Sequence, residues 1–135
     1  IKFMTMLGNS PACNKVIFGG YRNDLALIMP GCTVGIVAST GWDSFPMSTL
    51  EMAASGLPIV VSHLQGLVET LDECNTGYTF EPGNSLALSE KITKIADDNG
   101  LHERLSKNAI SRIQNSFTVQ VQFDHLYSKL SSIFQ

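Results

Sequence analysis

The chain has 135 residues, 44% of them hydrophobic, and a formal net charge of −3, which is enough to bury one core and too little to build two independent ones. No apolar run approaches the roughly 20 residues that span a bilayer, and the opening Ile1-Lys2-Phe3-Met4 lacks the layout of a secretory signal. Between Arg22 and Lys91 there is no Lys or Arg, while eight Asp or Glu fall in that span, so nucleic acid is not an expected partner: neutralising phosphates needs a basic face.

In chain order, short β-branched runs alternate with helical stretches, the pattern of parallel strands joined by crossover helices. Val16-Ile17-Phe18, Val34-Gly35-Ile36-Val37, Pro58-Ile59-Val60-Val61 and Gly77-Tyr78-Thr79-Phe80 are the expected strands. The middle two are apolar with little alternation, as strands covered on both faces are. A short helix is expected around Asp24 to Met29, another from about Met47 to Ser55, and a turn of helix near Gly66 to Leu71. Three longer helices then close the chain. Asn84-Ser85 caps the first, with Leu88, Ile92 and Ile95 on one side, and Leu101, Leu105, Ala109 and Ile113 mark the second. The third runs from Thr118 with Phe123, Leu126, Tyr127, Leu130, Ile133 and Phe134 on one stripe, a face suited to packing here or against a neighbouring domain. Its polar side is mixed rather than basic, unlike a membrane face.

The loop after the second strand holds the chemistry. Ser39-Thr40-Gly41-Trp42-Asp43-Ser44-Phe45 lies at a strand's carboxyl end, where open parallel sheets bind ligands, and Pro46 or Met47 opens a helix. A helix start offers free N–H groups and a partial positive charge to an anion. Pro46 has no N–H, so the donors are the amides of Phe45, Met47, Ser48 and Thr49. Eight helical residues rise about 12 Å, which places Asp43 outside the helix start and Glu51 more than a turn inside. Carboxylates grip vicinal hydroxyls through charge-assisted bonds, so two acids flanking an anion site match a ligand with hydroxyls, a diphosphate and more hydroxyls: a nucleotide sugar. On spacing alone, the same pair reads as a helix-start acid and a solvated helix residue.

Residues 43 to 61, D-S-F-P-M-S-T-L-E-M-A-A-S-G-L-P-I-V-V, resemble the E-x7-E motif of the retaining glycosyltransferases of family 4 (group 1), in the C-terminal half of a two-domain GT-B enzyme. The likeness continues through Ser62-His63-Leu64-Gln65-Gly66-Leu67-Val68-Glu69, where the family has a Gly-x-x-Glu, and through residues 76 to 84. Upstream, Val16 to Asp24 resembles the strand and turn ahead of the nucleotide base. The resemblance implies an α/β fold, a Rossmann-like parallel sheet flanked by helices, with residues 1 to 135 forming one nucleotide-sugar-binding domain. The acceptor domain and the first part of this domain lie outside the chain, and Ile1, which is not an initiator Met, agrees with a piece of something longer.

The same resemblance implies a role for each matching residue. Glu51 binds the ribose hydroxyls and Asp43, the expected catalytic residue, contacts the transferred sugar. The stretch from Ser44 and Phe45 to Met47, Ser48 and Thr49 holds the diphosphate, and Tyr21 and Arg22 lie beside the base. Asp43 stands where the family has Glu and is one methylene shorter. The family's basic pair for the leaving phosphate belongs to a segment upstream of Ile1, in keeping with the cation-free span from 23 to 90.

No cofactor beyond the donor substrate is expected, and no metal: Asp97-Asp98 reads as a solvated helix end. Cys13, Cys32 and Cys74 form neither a CxxC nor a disulfide framework and fit a reducing cytoplasm, at the inner membrane face for the full-length protein. His63 reads as a structural loop residue or one facing the donor, and Glu69 as serving either its turn or a ligand. The expected partners are a nucleotide sugar and, through the N-terminal domain, an acceptor glycan or lipid-linked sugar, with surface polysaccharide synthesis as the setting. The piece alone is expected to transfer nothing. The rivals are a nucleotide-sugar epimerase, a phosphorylase on the same architecture, and a non-catalytic nucleotide-sugar-binding domain. A pyridoxal phosphorylase needs a lysine that residues 23 to 90 do not supply.

Overall fold

The computed structural model describes residues 2–8 and 10–133. Three parallel strands, β1 (Gly35–Val37), β2 (Ile59–Ser62) and β3 (Gly77–Phe80), lie in that order across one sheet. Gly35 pairs with Ile59, and Ile59 in turn with Gly77. Helices α1 (Lys2–Gly8) and α2 (Leu25–Ile28) precede β1, α3 (Met47–Ala54) crosses from β1 to β2, and α4 (Ser85–Ala96), α5 (Asn99–Ser116) and α6 (Val119–Ile133) follow β3. The architecture is the expected α/β, Rossmann-like parallel sheet flanked by helices.

Strand β2 is buried at all four positions, and its side chains divide between two cores because successive residues point to opposite faces. Val60 packs with Tyr78, Phe80, Ile95 of α4 and Leu105 of α5. Ile59 and Val61 pack with Leu67 and Leu71, and with Met52 of α3. Leu105 and Ala109, one turn apart on α5, are both fully buried, the stripe that four-residue spacing predicts.

Helix ends follow the side chains able to cap them. Asn84 Oδ1 accepts from the Ala87 amide at 3.0 Å and starts α4. Asp98, expected as a solvated helix end, instead caps α5 by accepting from the Leu101 amide at 2.9 Å, so the α4–α5 corner is a cap rather than a frayed terminus.

One expectation differs. Val16, Ile17 and Phe18 form no strand: they are exposed and unpaired with the sheet. A β-branched run makes a strand only where a neighbour supplies the hydrogen-bond ladder, and propensity alone does not. The α6 stripe Phe123, Leu126, Tyr127, Leu130 and Ile133 is exposed, with Phe123 and Tyr127 stacked on each other at 6.2 Å; Phe134 lies outside the described residues. No helix among the described residues is long and apolar enough to cross a membrane.

At Gly77 the sheet leaves no room for a side chain. A Cβ there would fall on the Ile59 carbonyl oxygen and within 3.1 Å of the Ile59 nitrogen, and the obstacle is backbone that cannot rotate away. Gly77→Ala is expected to lower unfolding free energy by at least about 3 kcal/mol in urea denaturation. Gly31→Ala, whose Cβ meets nothing within 4 Å, is expected to stay within about 0.5 kcal/mol.

Candidate functional site

The carboxyl ends of β1 and β2 release two loops that meet. The first, residues 38 to 46, leads into α3; the second, residues 63 to 67, leads to a 3-10 turn at Val68–Thr70. Gly66, with φ +88°, brings the second loop directly onto the first: a Cβ at this position would strike the Asp43 carbonyl oxygen and lie 2.8 Å from the Phe45 nitrogen. Phe45 itself has φ 111°, a conformation costly for a side chain of this size. Strain is therefore concentrated where the two loops touch.

Together the loops wall a depression of about 410 Å³, with Trp42, Asp43 and Ser44 on one side and Gln65, Gly66 and Glu69 on the other. Asp43 is half-buried and accepts from Ser39 Oγ at 3.1 Å on Oδ2, which fixes one carboxylate oxygen. Trp42 is 95% exposed and forms the rim.

Pro46 caps α3 with its carbonyl, in extended conformation and without a side-chain cap. The Met47 and Ser48 amides have no acceptor among the described residues, as an anion site requires. Thr49 does not belong with them. It is 0% exposed, and both its amide, at 3.2 Å, and its hydroxyl, at 2.7 Å, are spent on the Pro46 carbonyl oxygen. The tight first turn closes that N–H onto its own chain.

Glu51 is exposed and lines a second depression of about 440 Å³, with Arg22, Asn23 and Met29 across from it. The structure thus brings Glu51 to Arg22 and Asp43 to the Gly66 loop, with the start of α3 between them in the chain. It does not put the two acids in one cavity. Tyr21 is 99% exposed and lines neither depression. His63 donates its amide to the Phe80 carbonyl at 2.7 Å and sets Nδ1 3.4 Å from Thr79 Oγ1, which is a structural placement at the β2 end. Among the described residues no three His, Cys, Asp or Glu gather as metal ligands.

Gln65 carries no site role of its own in the sequence, and Gly41, like Ser39 and Trp42, reads there as ordinary loop chemistry, although both Gln65 and Gly41 line the Asp43 depression; uncharged loop residues carry no periodic or charge signal. Ser39 stood only as part of the loop, and its bond to Asp43 follows a four-residue spacing that reads equally as turn chemistry.

Arg22 holds Asp24 through a fork of two bonds, Nε to Oδ1 at 2.8 Å and Nη2 to Oδ2 at 2.5 Å. The guanidinium holds the Asp24 carboxyl below its ordinary value and is itself raised. With the folded value depressed, the pair's contribution is present above the unfolded-chain value and fades as pH falls through the folded one. Following the Asp24 carboxyl carbon by NMR titration should give a midpoint below that of an ordinary aspartate. In Arg22→Ala the midpoint should rise back towards it.

The family model described as glycosyl transferases group 1 matches residues 8–112. CapM, a capsular polysaccharide biosynthesis glycosyltransferase of Staphylococcus aureus, is 27% identical over 99 residues, 73% of this chain and 26% of the relative. The N,N'-diacetylbacillosaminyl-diphospho-undecaprenol alpha-1,3-N-acetylgalactosaminyltransferase of Campylobacter jejuni is 36% identical over 90 residues, 67% of this chain and 24% of the relative. The chain therefore spans about a quarter of the length of the curated relatives it matches. Among solved structures, Anabaena HepE in complex with UDP superposes with a TM-score of 0.86 at 26% identity, covering 97% of this chain and 35% of that one. A Rickettsia africae glycosyltransferase reaches a TM-score of 0.89 at 21% identity, over 99% of this chain and 36% of that one, a likeness of fold. With the family model spanning most of its length, this chain belongs to the glycosyl transferases group 1.

Proposed function

We propose that residues 1 to 135 are the donor-binding domain, in the C-terminal half, of a retaining family 4 glycosyltransferase. The observation that supports this most directly is the open start of α3 after the carboxyl end of β1, with Asp43 in a depression just before it in the chain and Glu51 in a second depression farther along the helix. An extended ligand crossing that helix start meets hydroxyl acceptors, free amides and hydroxyl acceptors again, the order in a nucleoside diphosphate sugar. HepE in complex with UDP and with UDP-glucose supports the same class of donor.

In this reading Glu51 accepts from the ribose hydroxyls, and Arg22, which lines the same depression, borders the base. The backbone at Ser44, Phe45, Met47 and Ser48 holds the diphosphate, and Asp43 orients the transferred sugar. The nucleoside diphosphate departs as the acceptor attacks from the same face, and stabilising charge on the leaving group is the main task of the site. The acceptor, a glycan or lipid-linked sugar in surface polysaccharide synthesis, binds to the rest of the larger protein, on the cytoplasmic side of the membrane. No metal or cofactor takes part.

The roles separate by ligand. Glu51→Ala should weaken binding of both the nucleotide sugar and the bare nucleoside diphosphate in calorimetry, by about 1.5 to 3 kcal/mol for a lost charged hydrogen bond. Asp43→Ala should affect mainly the sugar-bearing ligand. Unchanged binding in Glu51→Ala would overturn the ribose assignment, and equal losses for both ligands in Asp43→Ala would overturn its contact with the sugar. Screening uridine, guanosine and adenosine diphosphate sugars against the full-length protein identifies the base, and donor consumption without any acceptor would instead mark a hydrolase or epimerase.

A further inference from the structure

Both walls of the Asp43 depression are held from outside it, by the C-terminal part of α5 and its cap residue Phe117. Arg112 donates from Nη2 to the Glu69 carbonyl oxygen at 3.0 Å, and its guanidinium carbon lies 5.2 Å from the centre of the Phe117 ring. Phe117 ends α5, and its ring centre is 5.8 Å from that of Phe45. Glu69 belongs to the wall that begins at Gly66, and Phe45 follows directly on the wall that holds Asp43 and Ser44. One side chain therefore touches the first wall directly and the second through a single aromatic ring.

A guanidinium suits this task in a way that an ammonium does not. It donates in its plane while its face lies against a ring, so a single rigid group can address a carbonyl and an aromatic at once. Its Nε is buried without an acceptor among the described residues. The group is thus placed by its two contacts rather than by complete hydrogen bonding, and it holds Glu69 by the backbone, leaving the carboxylate uninvolved.

We propose that Arg112 is a positioning residue of the donor site: by fixing the Glu69 carbonyl and, through Phe117, the Phe45 corner, it sets the opening between the two walls that receive the diphosphate and sugar. The inference rests on the donor-site reading above. It also predicts which end of the ligand feels the residue, because Arg112 supports the Asp43 depression and not the one lined by Glu51.

The test compares three ligands on the full-length protein: a nucleoside, its diphosphate and its diphosphate sugar, with the base chosen by screening. Arg112→Met should lower affinity for the diphosphate and the diphosphate sugar about tenfold, a displacement effect of the kind a misplaced wall produces, and leave nucleoside affinity unchanged. Arg112→Lys, which keeps a donor and the charge and loses the flat guanidinium, should fall between methionine and the natural residue. Phe117→Leu cuts the other arm and should show the same selectivity; with the lysine variant it keeps the comparison readable if methionine unfolds the chain. Equal losses for nucleoside and diphosphate, or no loss in any variant whose parent binds the diphosphate, overturn the positioning role. Failure of the unsubstituted protein to bind any of the three ligands overturns the donor-site reading itself.

Discussion

The structure depends on a strand with no free face. All four residues of β2 are buried, flanked by β1 and β3 in the sheet plane and by two side-chain clusters above and below it. Such a strand has no solvent side to relax towards, so its register with both neighbours is set, and with it the points at which the chain leaves the sheet. The Asp43 and Gly66 loops emerge from the same edge because β1 and β2 are parallel and paired Val37 to Val61. What the loops do chemically follows from that registry.

The features costly to folding gather at one place. Phe45 at φ 111° and Gly66 at φ +88° meet across a backbone contact; the start of α3 is left uncapped by any side chain. Elsewhere Asn84 and Asp98 cap their helices, and Thr70 and Thr76 are buried with their hydroxyls bonded, while Cys74 at φ 66° is a second non-glycine departure, in the turn before β3. A bulky residue held at positive φ beside an open helix start makes this segment a candidate site.

Much of this was legible in the sequence, for identifiable reasons. Strands β1 to β3 announce themselves because buried parallel strands must be apolar throughout, and α4 and α5 because a one-faced helix repeats every three to four residues. The three residues Val16 to Phe18 misled since their composition suits a strand while pairing depends on partners that no local pattern encodes. Thr49 misled in another way: counting amides from Pro46 treats a helix start as uniform, yet the tight first turn consumes that N–H. The link from Arg112 through Phe117 to Phe45 spans 72 positions and follows no period, so only the fold discloses it.

Charge sets the last constraint. A carboxylate and a phosphate at roughly 6 Å repel by about 3 kcal/mol at an effective dielectric of about 20, and the donor reading places an acid on each side of a diphosphate. A helix start returns about 0.3 to 1 kcal/mol, up to about 2 in partly buried geometry, so amides alone do not offset two acids. Arg22, the nearest cation in the chain to this span, already shares its charge with Asp24, and residues 23 to 90 hold no other Lys or Arg. On the donor reading, the acids favour hydroxyls at the expense of affinity for the anion between them. In the donor reading, positive charge for that anion has to come from outside residues 23 to 90, and within this chain Arg112 stands against a wall of the Asp43 depression, with its Nη2 on the Glu69 carbonyl.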